Sequence, residues 1–84
     1  MNIEFTGEII NIETLPNSKK VYYHVFLENG TTLRCCLTKS LIESNVSLKL
    51  GQTYKFNAKI YTNTFELNGY TRHINVIRII NVHL

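Results

Sequence analysis

The chain contains no aspartate, and all six of its acidic residues are glutamates. No two of these are placed as a general acid–base pair, so carboxylate catalysis has no obvious foothold. The four glycines are scattered, forming neither a phosphate-cradling loop nor a Gly-x-Ser-x-Gly elbow. The two cysteines, Cys35 and Cys36, are adjacent. On a strand they point to opposite sides, where they cannot readily pair with each other, which suits a reducing cytosol. They also lack the C-x2-C spacing that lets two thiolates reach one zinc, and His24, His73 and His83 are dispersed, so no metal site is expected. A Cys36 nucleophile activated by His24 would have no oxyanion donors and no third group. The chain is therefore read as a non-enzyme without cofactors. No apolar run approaches the roughly 18 residues of a membrane span. The N-terminus has no basic segment followed by an apolar one, so a cytoplasmic location is expected.

What is present suits a small folded domain. Hydrophobic residues make up 44% and charged residues 18%, an ordinary balance for a globular chain. With 84 residues, no linker, no repeat and no low-complexity tail, residues 1–84 are read as one domain with a modest core. The net charge of +3 is unevenly spread. From Val46 onward there are five basic residues against one acid, Glu66, whereas the first 45 residues carry four basic residues and five acids. A basic second half is compatible with a polyanionic partner. Enrichment in Asn, Ile, Lys, Tyr and Phe, whose codons are A+T-rich, points to a low-GC bacterium, its phage or a mobile element.

Val21 to Leu37 is the most informative stretch. It reads as two alternating strands around a three-residue loop, Glu28-Asn29-Gly30, with Gly30 in the left-handed position of a G1 bulge. That register sets Val25 opposite Leu33, Tyr23 opposite Cys35 and Val21 opposite Leu37, an apolar face. The other face pairs Phe26 with Thr32, His24 with Arg34 and Tyr22 with Cys36. A two-residue turn would place Arg34 across from Val25 and mix the faces. One side is thus buried while the other shows three aromatic rings beside an arginine. Solvated strand faces are usually polar, so this row calls for a partner, and stacked bases are the leading candidate.

Upstream, Met1 to Ile12 alternates as a strand, with Gly7 marking a bulge or sharp bend. Leu15-Pro16-Asn17-Ser18-Lys19-Lys20 is a turn-rich loop. Downstream, Ser40-Leu41-Ile42-Glu43 has the spacing of a capping box, predicting one or two helical turns to Asn45. Leu48-Lys49-Leu50-Gly51-Gln52 turns into a strand with Tyr54, Phe56, Ala58 and Ile60 at alternate positions. Asn68-Gly69 signals a second hairpin of type I′, which sets Ile60 opposite Ile77 and Ala58 opposite Ile79. Ile74 to Leu84 is the last strand.

Five strands with a short helix between the third and fourth is the order of a five-stranded Greek-key barrel, all-β apart from that helix. The glycine-bent first strand, the tight second hairpin, the helix after Thr38 and the Leu-x-Leu-Gly-Gln-x-Tyr run before strand four resemble small OB-fold nucleic-acid-binding proteins over essentially the full length. An SH3-like barrel or a small β-sandwich shares several of these features.

The resemblance implies a ligand lying across strands two and three, flanked by two loops. On this chain that means Tyr22, His24, Phe26 and Arg34 as platform. Lys19 and Lys20 would flank it from the first loop, and Phe65, Tyr70 and Arg72 from the Tyr61–His73 hairpin tip. It further implies single-stranded nucleic acid, DNA before RNA, as partner in replication, recombination or repair, with homo-oligomerisation to extend a short site. The bland readings stand beside these: Phe65 and Tyr70 pairing across their hairpin, and the Lys pair as a solvated loop. Glu4 and Glu8 would be neutralised by Lys55 and Lys59 if strands one and four pair. The alternative function is a non-catalytic accessory subunit whose aromatic face meets a polymerase, primase or helicase. The ending Asn81-Val82-His83-Leu84 lacks the acidic tail of bacterial-type single-strand-binding proteins, suggesting a specialised or element-encoded protein.

Overall fold

The computed structural model describes residues 1–17 and 20–84. Along the chain run β1 (Asn2–Thr14), β2 (Val21–Leu27), β3 (Thr32–Leu37), α1 (Lys39–Glu43), β4 (Thr53–Leu67) and β5 (Tyr70–His83). The strands close into a barrel in the order β1-β2-β3-β5-β4. Neighbours are antiparallel except β3 and β5, which run parallel. This is the OB fold, with its helix between strands three and four.

Both hairpins take their expected registers because their turns supply the backbone each register needs. Gly30 sits at φ 87° and its N–H donates to the Leu27 carbonyl at 3.0 Å, so Val25 meets Leu33 and His24 meets Arg34. Asn68 at φ 52° and Gly69 at φ 79° form the type I′ turn, and Ile60 meets Ile77 while Ala58 meets Ile79.

Alternating inward side chains build the core. Ile9, Val25, Cys35, Phe56, Ala58 and Ile79 have no solvent exposure, and Tyr23, Leu37 and Leu48 are nearly as buried. Phe5 and Tyr54 lie against Phe56 with ring centroids 5.2 and 5.9 Å away. Full burial of each of Ile9, Val25, Phe56 and Ile79 contributes roughly 1.5–3 kcal/mol. Cys35 faces inward and Cys36 outward, both as free thiols, and burial pushes the Cys35 thiol up to about 12.

Three local expectations need correction. The register shift in β1 lies at Ile10, between Ile9 and Asn11, not at Gly7. Gly7 instead marks a close approach: a Cβ there would lie 2.4 Å from Val25 Cγ1 and 2.8 Å from the Phe26 carbonyl oxygen. The helix has Thr38 at its N-cap with no side-chain cap bond, so the Ser40–Glu43 capping box does not form. Its stop is better specified: Asn45 turns left-handed at φ 58°, donating to the Ile42 carbonyl, and Val46 donates to the Leu41 carbonyl, a Schellman closure. Finally β1 and β4 do pair, and Lys55 Nζ lies 3.0 Å from Glu4 Oε1, but Lys59 aligns with Asn2 and Glu8 with Thr53.

Candidate nucleic-acid interface

The outer face of β2–β3 carries Tyr22, His24, Phe26 and Arg34, as strand alternation requires, with Tyr22 and His24 half-buried and Phe26 exposed. Uninterrupted alternation from the buried Ile9 would turn Asn11 and Glu13 inward, and the extra residue at the Ile10 bulge reverses both. Beyond it Asn11 pairs with His24 and Glu13 with Tyr22, so both lie on this outer face. Arg34 Nε donates to Glu13 Oε1 at 3.1 Å and Arg34 Nη2 to Glu13 Oε2 at 3.2 Å, a two-point fork. His24 Nε2 is 3.0 Å from the same Oε1. The guanidinium carbon lies 3.8 Å from the Tyr22 ring centroid, a cation–π contact at van der Waals distance. Hydrogen bonds from Arg34 and then His24 hold the Glu13 carboxyl below the usual carboxylate range, and Glu13 in turn raises Arg34.

Beyond the barrel, β4 and β5 continue as a two-stranded arm. Cross-strand pairing sets Tyr61 opposite Val76, Asn63 opposite Ile74, Phe65 opposite Arg72 and Leu67 opposite Tyr70, so these eight share one face. The reverse face is polar, with Thr62 bonded to Asn75 at 3.0 Å and Thr64 to His73 at 3.2 Å. Phe65 thus stands across from Arg72 and Tyr70 across from Leu67.

Two grooves join the barrel to this arm. One of about 340 Å³ lies between Tyr22 and Arg34 on the barrel and Phe65 and Ile74 on the arm. The other, about 350 Å³, is bounded by Lys20, Lys39, Tyr61 and Arg78, with Cys36 among its lining residues. Tyr22, Asn63 and Val76 border both, so the two form a continuous trough. Arg78 lies over the Tyr61 ring at 5.0 Å, repeating the Arg34–Tyr22 arrangement. The aromatic Tyr22, the arm residue Phe65 and the basic Lys20 and Arg34 are thereby brought together. Arg72 and Tyr70 sit farther out on the same arm face, Tyr70 being 68% exposed at the tip. Lys19 lies outside the described residues.

Phe26 stands apart from the trough. It borders a separate depression with Glu8 and Glu28, and Glu8 is its cross-strand partner on β1. Four residues of the site were not anticipated: Glu13, Lys39, Tyr61 and Arg78. A clue for Arg78 was available, because Ile77 and Ile79 inward force Arg78 outward. None existed for Glu13, whose direction depends on the bulge.

Among the described residues no group of three or more His, Cys, Asp or Glu side chains is placed to hold a metal, and no helix is long and apolar enough to cross a membrane. The constellation offers stacking surfaces, donors and positive charge.

An OB barrel with an aromatic and basic trough along β2, β3 and an extended β4–β5 arm is the class these features define. No protein-family model matches the chain, and no curated protein matches it. Solved structures do. The mitochondrial single-stranded DNA binding protein Rim1 from S. cerevisiae aligns with a TM-score of 0.69 at 10% identity, over 98% of this chain and 89% of that one. The small single-stranded DNA-binding protein from Streptomyces coelicolor aligns at 0.52 and 12% identity, over 99% and 92%. At this identity the likeness is one of fold, and it spans nearly the whole chain.

Proposed function

We propose that this protein binds single-stranded nucleic acid, DNA in preference to RNA, along the trough between the barrel and the β4–β5 arm. The observation that carries this reading is the continuity of stacking and charge: Tyr22, Phe65 and Tyr61 border one trough with Lys20, Lys39 and Arg78 beside them. Stacking on an aromatic ring contributes roughly 1–3 kcal/mol per base whatever its identity, and cations along the path add a salt-dependent component. The fold is shared with two single-stranded DNA-binding proteins, which supports the same reading. The mechanism is non-catalytic: rings take bases, lysines and Arg78 take phosphates, and the arm lengthens the path. Tyr70 and Arg72 would extend contacts toward the tip, His24 would border the platform, and Lys19 would add charge to the first loop. Phe26, flanked by Glu8 and Glu28, would contribute least.

A single barrel covers few nucleotides, so useful affinity requires oligomerisation or tethering, in keeping with a role in replication, recombination or repair. The second reading, an accessory subunit bound to a replication protein, is favoured by the exposed apolar side chains of Leu67 and Tyr70 on the arm. Fluorescence anisotropy with labelled 20–30-nucleotide single-stranded DNA, its duplex and the matching RNA, at two salt concentrations, separates the two. Salt-sensitive binding that favours the single strand is the expected result. No binding at micromolar protein would leave the arm as a protein contact.

A further inference from the structure

Glu13 is an acid bonded to Arg34, a residue of the groove proposed to receive a polyanion. Its contacts explain how both can hold. The Arg34 guanidinium has five N–H donors, and Glu13 takes one from Nε and one from Nη2, filling the side-on edge of the fork. That edge has the spacing that would otherwise receive two phosphate oxygens. The Glu13–Arg34 pair has no net charge, so it offers a phosphate little attraction. What remains is a guanidinium held over Tyr22, with its other donors available, on the wall of a groove faced by Phe65 and Ile74. Arg34 is half-exposed there and the His24 ring braces the same Glu13 oxygen.

We propose that Glu13 is a positioning residue that withholds Arg34 from phosphate and fixes it as a base-contacting plate on Tyr22. Bases enter between this plate and Phe65, and the phosphate charge is met elsewhere, at Lys20, Lys39 and Arg78. The part concerning bases rests on the single-strand-binding reading; the withholding of Arg34 from phosphate does not. A Lys at position 34 would keep the charge but lose the plane, and removing the Glu13 charge would convert Arg34 into an ordinary phosphate contact.

The test uses the full chain and two probes. With inorganic phosphate as probe, the Arg34 Nε–H resonance of the ¹⁵N-labelled protein should stay in place in the wild type and move in Glu13→Gln. With a 20-nucleotide oligo-dT as probe, Glu13→Gln should steepen the dependence of log affinity on log salt by about 0.7, the increment for one phosphate on a single strand. Arg34→Lys should weaken binding roughly five-fold or more with the slope unchanged. Phosphate moving the Arg34 resonance equally in both proteins would overturn the proposal, as would an Arg34→Lys variant that keeps its affinity. If the wild type ignores oligo-dT, the single-strand reading fails, while the phosphate titration still decides whether Glu13 withholds Arg34.

Discussion

The barrel and the arm share β4 and β5, yet the two ends of those strands obey different physics. In β4, Phe56 and Ala58 are fully buried, whereas every residue from Tyr61 to Leu67 is exposed. In β5, Ile79 is buried and Tyr70 to Asn75 are exposed. The barrel is held by apolar burial, and the arm by its ladder, its type I′ turn and the Thr62–Asn75 and Thr64–His73 bonds. An isolated two-stranded ribbon is marginal in water, so the arm depends on the barrel for its anchor. Stability thus resides in one half of the hairpin, while the other half faces solvent.

Substitutions that strike only one region test this division. The largest effect is expected from Phe56→Ala, about 3–5 kcal/mol by urea denaturation, a large share of what a chain of 84 residues possesses. Gly7→Ala should cost about 1–3 kcal/mol or more, because the new methyl meets Val25 and the Phe26 carbonyl on a strand that cannot retreat. In the arm, Phe65→Ala should weaken single-stranded DNA binding by roughly 1–3 kcal/mol with the denaturation midpoint barely moved. A comparable loss of stability there would mean the arm is part of the core. Tyr22→Ala should weaken binding more than Phe26→Ala; equal losses would extend the path past Glu8 and Glu28.

Gly69→Ala places a side chain at φ 79°, costing about 1–2 kcal/mol locally. Amide exchange should then quicken from Tyr61 to Val76 while Ile9, Val25 and Ile79 keep their protection. The smallest effect concerns pH. The Glu13 carboxyl is lowered in the folded protein, first by its hydrogen bonds from Arg34, so its contribution is present above the unfolded value of about 4.3 and disappears as pH falls through the lower folded one. The melting-temperature difference between wild type and Glu13→Gln should therefore be largest at pH 6 and narrow progressively as pH is lowered through the acid range. A difference that does not narrow on acidification would show that something other than the carboxylate charge is responsible.

What the sequence by itself determined is the local arithmetic of the strands. Gly30 and Asn68-Gly69 dictate the two turns, the turns dictate register, and register dictates that Tyr22, His24 and Arg34 share an outer face while Val25, Cys35 and Ile79 point inward. Alternation has a range of a few residues, and over that range it was legible. The tertiary structure alone decided three further things. The bulge at Ile10 reversed the direction of Glu13 and delivered it to Arg34. The parallel pairing of β3 with β5 set Arg78 beside Cys36, and thereby gave the trough its basic flank. The closure of β1 onto β2 left Phe26 next to Glu8, outside that trough. Each joins residues that no strand period links: a single inserted residue shifts every later side chain, and strand pairing brings together residues far apart in the chain, as it does Cys36 and Arg78.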